Sequence, residues 1–111
     1  MKISDFNNLE KENVSHNEEV KRQRFLHDGD LPGLTNFSRA FFEAGMQVES
    51  HLHKDMNEVF YVLQGRGEIM VDLKSYKLSP GVSVVVEAGE RHQILAETSL
   101  ELLYFGLESK A

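Results

Sequence analysis

The most informative segment of the chain is residues 45–67, which read GMQVESHLHKDMNEVFYVLQGRG. Its second half, Glu58 to Gln64, is rich in β-branched and aromatic residues and stops at Gly65-Arg66-Gly67, a pattern that predicts a β-strand. Its first half contains His51 and His53, separated by one residue. Because side chains alternate sides along a strand, both imidazoles are expected on one face, where they can reach the same ion.

Short apolar runs separated by turn residues continue on both sides of this segment. Further strands are predicted over residues 20–26, 35–43, 68–73, 76–78, 82–86, 92–95 and 100–105, and residues 106–111 are expected to trail off. Alternation places Ile69, Val71 and Leu73 on one face of their strand, with a turn at Lys74-Ser75. Many short strands without helical periodicity predict an antiparallel sandwich or barrel.

The first nineteen residues differ from the rest of the chain. Residues 1–19 are polar, acidic and rich in Asn, and they predict an N-terminal arm with at most one helical turn, followed by a barrel domain over residues 20–111. Such an arm either packs on the barrel or a neighbouring subunit, or frays.

Composition excludes several classes of function. With 111 residues, 41% of them hydrophobic, the chain is expected to fold as one domain. A net charge of -6 disfavours nucleic acid as a partner, and the basic run at residues 21–24 is interpreted as a solvated strand edge. The absence of cysteine excludes thiolate ligands and disulfides. No apolar segment has the length of a signal peptide or membrane span, so a cytoplasmic location is expected.

Two further residues complete a candidate metal site. Glu58 follows the polar turn after His53, and His92 is predicted to begin a strand about forty residues after His51. Neutral imidazoles and a carboxylate that converge inside an apolar barrel suit a divalent first-row transition metal such as Fe, Mn, Ni, Zn or Cu.

At these residues the sequence resembles the cupin family. The first cupin motif reads as Gly45, five residues, His51-Leu52-His53, four residues, Glu58, six residues, Gly65. The second reads as Gly81, five residues, Glu87-Ala88-Gly89, two residues, His92, three residues, Ala96. The sequence departs from the family pattern at Glu87, where proline is usual, and at Ala96, where asparagine is usual.

The resemblance implies an all-β fold, a single jelly-roll (double-stranded β-helix) barrel. It also implies that His51, His53, Glu58 and His92 are ligands of one metal ion. Three imidazoles and one carboxylate leave coordination positions open, which is typical of a catalytic site rather than a closed structural site. In that case Glu58 is a ligand and also a candidate proton acceptor.

Other residues have weaker assignments. Asp55 is interpreted as a turn residue rather than a replacement ligand. Phe60 and Val62 share the face of Glu58 and are expected to line the cavity or the core. The remaining candidates are Tyr61, Tyr104, Arg39 and Gln47 for contacts with a substrate or a ligand residue, and His16 and His27 as surface residues.

Three functions remain open from the sequence. The first is a metal-dependent dioxygenase that acts on a small organic molecule, and the second is a metal-dependent isomerase, epimerase or lyase of sugars or keto acids. The third is a non-catalytic module that binds a small molecule. Exposed sheet edges and an apolar outer face favour a homodimer.

Overall fold

The fold consists almost entirely of β-strands. The structure, a computed structural model, describes residues 1–14 and 17–109, without the side chains of residues 17–19. The elements in these residues are a 3-10 helix (Phe6–Asn8) and the strands β1 (Glu12–Val14), β2 (Asn17–Leu26), β3 (Leu34–Phe42), β4 (Gln47–His51), β5 (Met56–Gln64), β6 (Gly67–Val71), β7 (Lys74–Leu78), β8 (Ser83–Val86), β9 (His92–Ala96) and β10 (Leu100–Glu108). His16 lies outside the described residues.

The strands form two antiparallel sheets. The larger sheet has the order β1-β2-β3-β10-β5-β8, and the smaller one has the order β4-β9-β6-β7. The last strand, β10, pairs with both β3 and β5 and therefore lies in the middle of the larger sheet. This arrangement is the jelly-roll that the sequence predicted.

The core lies between the two sheets. Buried apolar side chains alternate along the strands, as at Leu100, Leu102 and Tyr104 of β10, and they meet residues such as Ile69 and Ile94 from the smaller sheet. Burial of each large aliphatic side chain contributes about 1.5–3 kcal/mol, so this shared interior holds the sheets together.

The hairpin between β6 and β7 differs from its prediction. The turn lies at Asp72 and Leu73, which both have positive φ angles (46° and 71°), instead of at Lys74-Ser75. Two consecutive residues with positive φ are typical of the type I′ turn, whose twist matches that of the strands. Leu73 is therefore 92% exposed, although alternation predicted it on the same face as Ile69, which is buried.

The ends of two strands also differ from their predictions. Strand β10 continues to Glu108, where the sequence predicted a tail from Gly106. Strand β5 begins at Met56, within the predicted polar turn, because Asn57 and Met56 pair with the extra residues of β10.

The N-terminal residues pack on the outer face of the larger sheet. The side chain of Gln23 donates hydrogen bonds to the carbonyl oxygens of Phe6 (2.7 Å) and Leu9 (2.8 Å), and the Arg39 guanidinium lies 4.7 Å from the centre of the Phe6 ring. Strand β1 then pairs with β2 at the edge of the sheet. The division of the chain into an arm and a barrel at residue 19 stays a prediction.

No helix among the described residues has the length and apolar character needed to span a bilayer.

Candidate metal centre

His51 and His92 are brought together by strand pairing. His51 is the last residue of β4 and His92 the first residue of β9, and the antiparallel register places them opposite each other. Residues opposite each other in such a pair direct their side chains to the same face. Their ring centroids are 4.2 Å apart.

His53 and Glu58 reach the same point from different elements. Strand β4 ends at His51, so His53 lies in the connection to β5 and not on the strand that alternation assumed. Its ring centroid is 5.0 Å from that of His51. Glu58 is the third residue of β5, and its side chain points inward between the neighbouring strands β10 and β8.

The structure thus brings together all four residues that the sequence selected. One potential ligand atom from each of His51, His53, Glu58 and His92 lies within 4.8 Å of the others. Ligand atoms around one ion at bond lengths of 2.0–2.2 Å are at most about 4.4 Å apart, so shifts of a few tenths of an ångström would close the shell. The group can therefore hold a metal ion.

Backbone carbonyl groups fix the orientation of two of the imidazoles. Nδ1 of His51 lies 2.8 Å from the carbonyl oxygen of Glu49, and Nδ1 of His92 lies 3.1 Å from that of Glu90. A carbonyl oxygen only accepts, so Nδ1 carries the hydrogen in both rings, and in the neutral imidazole Nε2 keeps its lone pair. Such hydrogen bonds are the usual means of presenting Nε2 to a metal.

The buried half of the cluster contains two polar atoms that need a cation. Nε2 of His92 and Oε1 of Glu58 are 3.3 Å apart, and no contact of either atom with the described residues has hydrogen-bond geometry, although Nε2 of His53 also lies near Oε1 of Glu58. His92 is 2% exposed and Glu58 6% exposed, so both atoms lie away from bulk solvent. Two facing acceptors in such a place repel each other unless a proton or a metal ion lies between them. The donor set therefore fits a divalent metal ion.

The charged state of Glu58 is strongly favoured. Burial alone would raise the pKa of Glu58, but contacts with the imidazoles of His53 and His92, when these are protonated, outweigh it and lower the pKa from 4.5 to about 2. The Nε2 atom of His53 lies 3.2 Å from Oε1 of Glu58, and this contact raises the pKa of His53 despite its partial burial. The site thus presents a carboxylate, the form that binds a metal.

The cluster lines one wall of a cavity between the sheets. The cavity has a volume of about 110 Å³, and apolar side chains such as Phe42, Phe60 and Leu102 form most of its surface. His51 and His53 are partly exposed, whereas Glu58 and His92 are buried. The cavity can accommodate a few water molecules or a small organic molecule beside the cluster.

Most other predicted contact residues lie elsewhere. Tyr104 and Phe60 line the cavity, and Val62 is buried in the core. Tyr61 is 44% exposed, and Arg39 forms an ion pair with Glu101 on the outer face of the larger sheet. Gln47 accepts a hydrogen bond from Gln93 (3.1 Å), Asp55 is an exposed residue of the connection before β5, and His27 is exposed as predicted.

The sequence analysis missed Arg22 and Asn36, which also line the cavity. Arg22 had been interpreted as part of a solvated strand edge, and this interpretation is wrong for Arg22 and for the buried Gln23. The signal that identifies Arg22 is its pairing with the buried Ala40 of β3, since paired residues share a face.

The turn that precedes His92 is well ordered without proline at Glu87. The backbone N–H of Glu87 donates to the side chain of Glu90 (2.7 Å), and that of Glu90 donates to the carbonyl of Glu87 (3.0 Å). Gly89 supplies the positive φ of the turn, and its N–H donates to the carbonyl of His53 (2.7 Å). This last hydrogen bond links the two segments that carry the histidines.

Comparison with known proteins agrees with this geometry. The family model described as "Cupin domain" matches residues 39–106, a range that contains all four cluster residues. The chain belongs to the cupin family. No curated protein sequence matches the chain significantly.

Solved structures of other cupins have the same fold. A protein described as a predicted oxalate decarboxylase from Thermotoga maritima has a TM-score of 0.88 and 22% identity, covering 96% of this chain and 99% of that one. An RmlC-like cupin from Shewanella frigidimarina has a TM-score of 0.81 and 23% identity over 96% and 90% of the two chains. Ectoine synthase from P. lautus has a TM-score of 0.83 and 20% identity over 96% and 78%. At these identities the likeness shows the cupin fold alone.

Proposed function

We propose that His51, His53, Glu58 and His92 bind one divalent transition-metal ion and that this cupin protein is a metal-dependent enzyme acting on a small organic molecule. The observation that carries the proposal is the pair of buried, facing acceptors at Glu58 and His92. A metal ion or a proton between the two atoms would relieve their repulsion, and three imidazoles beside one carboxylate are a donor set that favours the metal ion.

Two kinds of ligand contribute differently to this proposal. His51 and His92 present Nε2 because their Nδ1 atoms are held by backbone carbonyls. Glu58 supplies the negative charge, and a carboxylate with a pKa of about 2 is a better ligand than base at neutral pH. Proton transfer by Glu58 stays a prediction. A bound ion would supply Lewis acidity and open coordination positions for a substrate oxygen.

The small cavity restricts the size of the substrate. A volume of about 110 Å³ accommodates a compact organic acid, diketone or enolisable molecule rather than a large sugar derivative. For such substrates we propose a dioxygenase reaction as the first candidate. It predicts oxygen consumption when the protein, loaded with Fe, Mn, Ni or Cu, receives diketones, catechols or small oxo acids. Flat oxygen-electrode traces over that panel would exclude it.

A lyase or isomerase is the second candidate. Two solved structures of the same fold support it, because they are described as a predicted oxalate decarboxylase and as ectoine synthase, and neither description names an oxygenase. A reaction of this kind proceeds without dioxygen, and Zn²⁺ would replace the native ion without loss of turnover. Anaerobic turnover of a small acid by the Zn²⁺ form would support it, and binding of the acid without conversion would favour a non-catalytic module.

The experiment that tests metal binding is elemental analysis of protein purified without an affinity tag or chelator. We expect close to one transition-metal ion per chain in the wild-type protein. His51→Ala should lower both metal content and thermal stability, because metal binding to the native state is linked to folding. His27→Ala is the matched control, since His27 is exposed and lies outside the cavity. Unchanged metal content in His51→Ala would remove His51 from the ligand set.

Assembly and location are further proposals. The outer face of the larger sheet exposes apolar side chains at Tyr61, Val85 and Leu107, and a second copy of the chain is the partner that we propose for this face. Sedimentation equilibrium would test the homodimer, and cell fractionation would test the expected cytoplasmic location.

A further inference from the structure

A second polar group faces the cavity besides the metal cluster. Arg22 of β2 and Tyr104 of β10 both line it, and Nη1 of Arg22 lies 3.4 Å from the hydroxyl oxygen of Tyr104. The Arg22 side chain is 19% exposed, so most of its length lies between the sheets. A guanidinium that points into an otherwise apolar cavity is costly unless it meets an anion.

Among the described side chains, the anion that Arg22 contacts occupies only one edge of the guanidinium. Glu12 of β1 accepts a hydrogen bond from Nε of Arg22 (3.1 Å), while Nη1 is directed to Tyr104. Glu12 also contacts Arg24, the next inward residue of β2, which donates from Nη2 to Oε2 (3.2 Å). Among the side chains that the structure describes, one carboxylate therefore serves two guanidinium groups, and these leave a positive charge at this end of the cavity.

Charge at both ends of the cavity favours an anionic ligand. The Arg22, Arg24 and Glu12 group carries a net charge of +1, because two guanidinium groups face one carboxylate. A divalent ion beside the single carboxylate of Glu58 would add another +1. In a cavity with apolar walls, such charges act through a low dielectric and strongly discriminate between an anion and a neutral molecule.

We propose that Arg22 binds a carboxylate group of the substrate, with the Tyr104 hydroxyl as a second hydrogen-bond donor. The planar guanidinium suits a carboxylate because it offers parallel N–H groups to the two oxygens. This inference rests on the proposed function and narrows it, since the substrate becomes a small organic acid with its carboxylate at Arg22 and its reacting end towards the metal cluster.

Glu12 has a supporting role in the same arrangement. It holds Arg22 and Arg24 from strand β1, which pairs with β2 at the sheet edge. The N-terminal residues therefore contribute a positioning residue to the substrate site, besides their packing on the outer face. The alternative to carboxylate binding is that Arg22 has a structural role alone and stabilises the pairing of β1 with the sheet through Glu12.

Saturation-transfer NMR with pyruvate separates these explanations. Pyruvate is a small acid whose methyl signal reports binding, and pyruvamide is its uncharged counterpart. Chelator-treated, metal-free protein is used, so that neither probe is held by an ion. We expect pyruvate to bind, acetate to compete with it, and pyruvamide to bind at least about tenfold more weakly, as the loss of a charge-assisted hydrogen bond predicts.

Two substitutions on the same strand provide the matched comparison. Arg22→Gln should weaken pyruvate binding by at least about tenfold, whereas Arg24→Gln should weaken it by at most about threefold, because it removes the same charge but no contact with the ligand. Arg24 contacts the same Glu12 but is not among the described residues that line the cavity, so its removal tests the loss of one positive charge and of an ion pair with Glu12. Circular dichroism and thermal melts check that both variants fold.

If Arg22→Gln does not fold, Arg22→Lys takes its place. Lysine keeps the charge but lacks the parallel N–H groups, so pyruvate should bind about three- to tenfold more weakly while its preference over pyruvamide remains. The proposal is overturned if wild-type protein does not bind pyruvate, if pyruvamide binds equally well, or if the Arg22 variant binds as wild-type protein does.

The outcome is independent of the metal proposal. Carboxylate binding is measured without metal, and metal content is measured by elemental analysis of the purified protein. A protein that binds pyruvate through Arg22 but contains no metal would refute the metal-dependent enzyme and leave the carboxylate site. A metal-containing protein with no affinity for pyruvate would refute the carboxylate site and leave the metal proposal.

Discussion

Metal binding by the four-residue cluster should weaken as the pH falls, because protons and a metal ion compete for the same imidazole nitrogens. As the pH falls, His53 is expected to take up a proton early, because its contact with Glu58 raises its pKa above 6.5. Glu58 does not take part in the competition above pH 4.5, because its pKa is about 2.

The size of the effect follows from His53 alone. At pH 5.5, one unit or more below the pKa of His53, at most about one molecule in ten has this imidazole neutral. Apparent affinity for the metal should therefore fall at least about tenfold between pH 7.5 and pH 5.5, which is about 1.4 kcal/mol of lost stabilisation. In a domain of this size, that corresponds to roughly 5–10 °C in the thermal midpoint.

The metal-free protein should show a different dependence on pH. The ion pair between Glu58 and His53 stabilises it fully between pH 4.5 and pH 6.5. In this range the Glu58 carboxyl is charged and the His53 imidazole is protonated even in the unfolded chain. Its contribution is lost as the pH falls through about 2 and as the pH rises through the raised pKa of His53. The metal-induced stabilisation should therefore increase from pH 5.5 to pH 7.5.

Thermal melts at pH 5.5, 6.5 and 7.5, with and without excess Mn²⁺, measure this difference directly. His27→Ala should behave as the wild-type protein does, since its imidazole is exposed and lies outside the cavity. A metal-induced shift that is equal at all three pH values, or larger at pH 5.5, would refute the assignment of the histidines as ligands.

Two turns allow further predictions about stability. Gly65→Ala should destabilise the protein by about 3 kcal/mol or more in chemical denaturation, because its φ is +88° and an added Cβ would lie 1.8 Å from the carbonyl oxygen of Ser99. Gly81→Ala is the matched control, with a similar φ (+92°) but open space around the Cβ, and should cost only about 1–2 kcal/mol; equal losses would contradict the steric explanation. Leu73→Gly should stabilise the protein by about 0.5–1 kcal/mol, because glycine relieves the positive φ and an almost fully exposed side chain loses little packing. A lower thermal midpoint in Leu73→Gly would contradict this.

The sequence predicted the metal cluster because its spacing is a local property of two segments. His51 and His53 lie at the end of β4 and just beyond it, Glu58 is on the next strand, and His92 begins β9, as the cupin motifs require. The turn glycines also lie where the motifs place them, with positive φ at Gly45, Gly65 and Gly81. Such short-range patterns are visible without knowledge of strand pairing.

Alternation failed where the chain left the strand without a sequence signal. Apart from Met70, residues 68–73 alternate between polar and apolar, and Leu73 occupies a position at which a turn of two residues with positive φ usually has glycine. The exposed Leu73 and the shifted hairpin have this common cause. The same limitation affected His53, which alternation placed on a strand that ends two residues earlier.

The position of Arg22 on the cavity face of β2 cannot be predicted from the sequence of β2 alone. Within β2, residues 21–24 are all polar, so the sequence of the strand does not distinguish its two faces. The neighbouring β3 does distinguish them, because Ala40 and Phe42 are buried, and the register places Arg22 opposite Ala40. Gln23 then lies on the outer face, where the N-terminal segment covers it, as its hydrogen bonds to the carbonyl oxygens of Phe6 and Leu9 show. The face of a polar strand is thus set by its partner, and a charged residue can be assigned to a binding cavity only when the pairing is known.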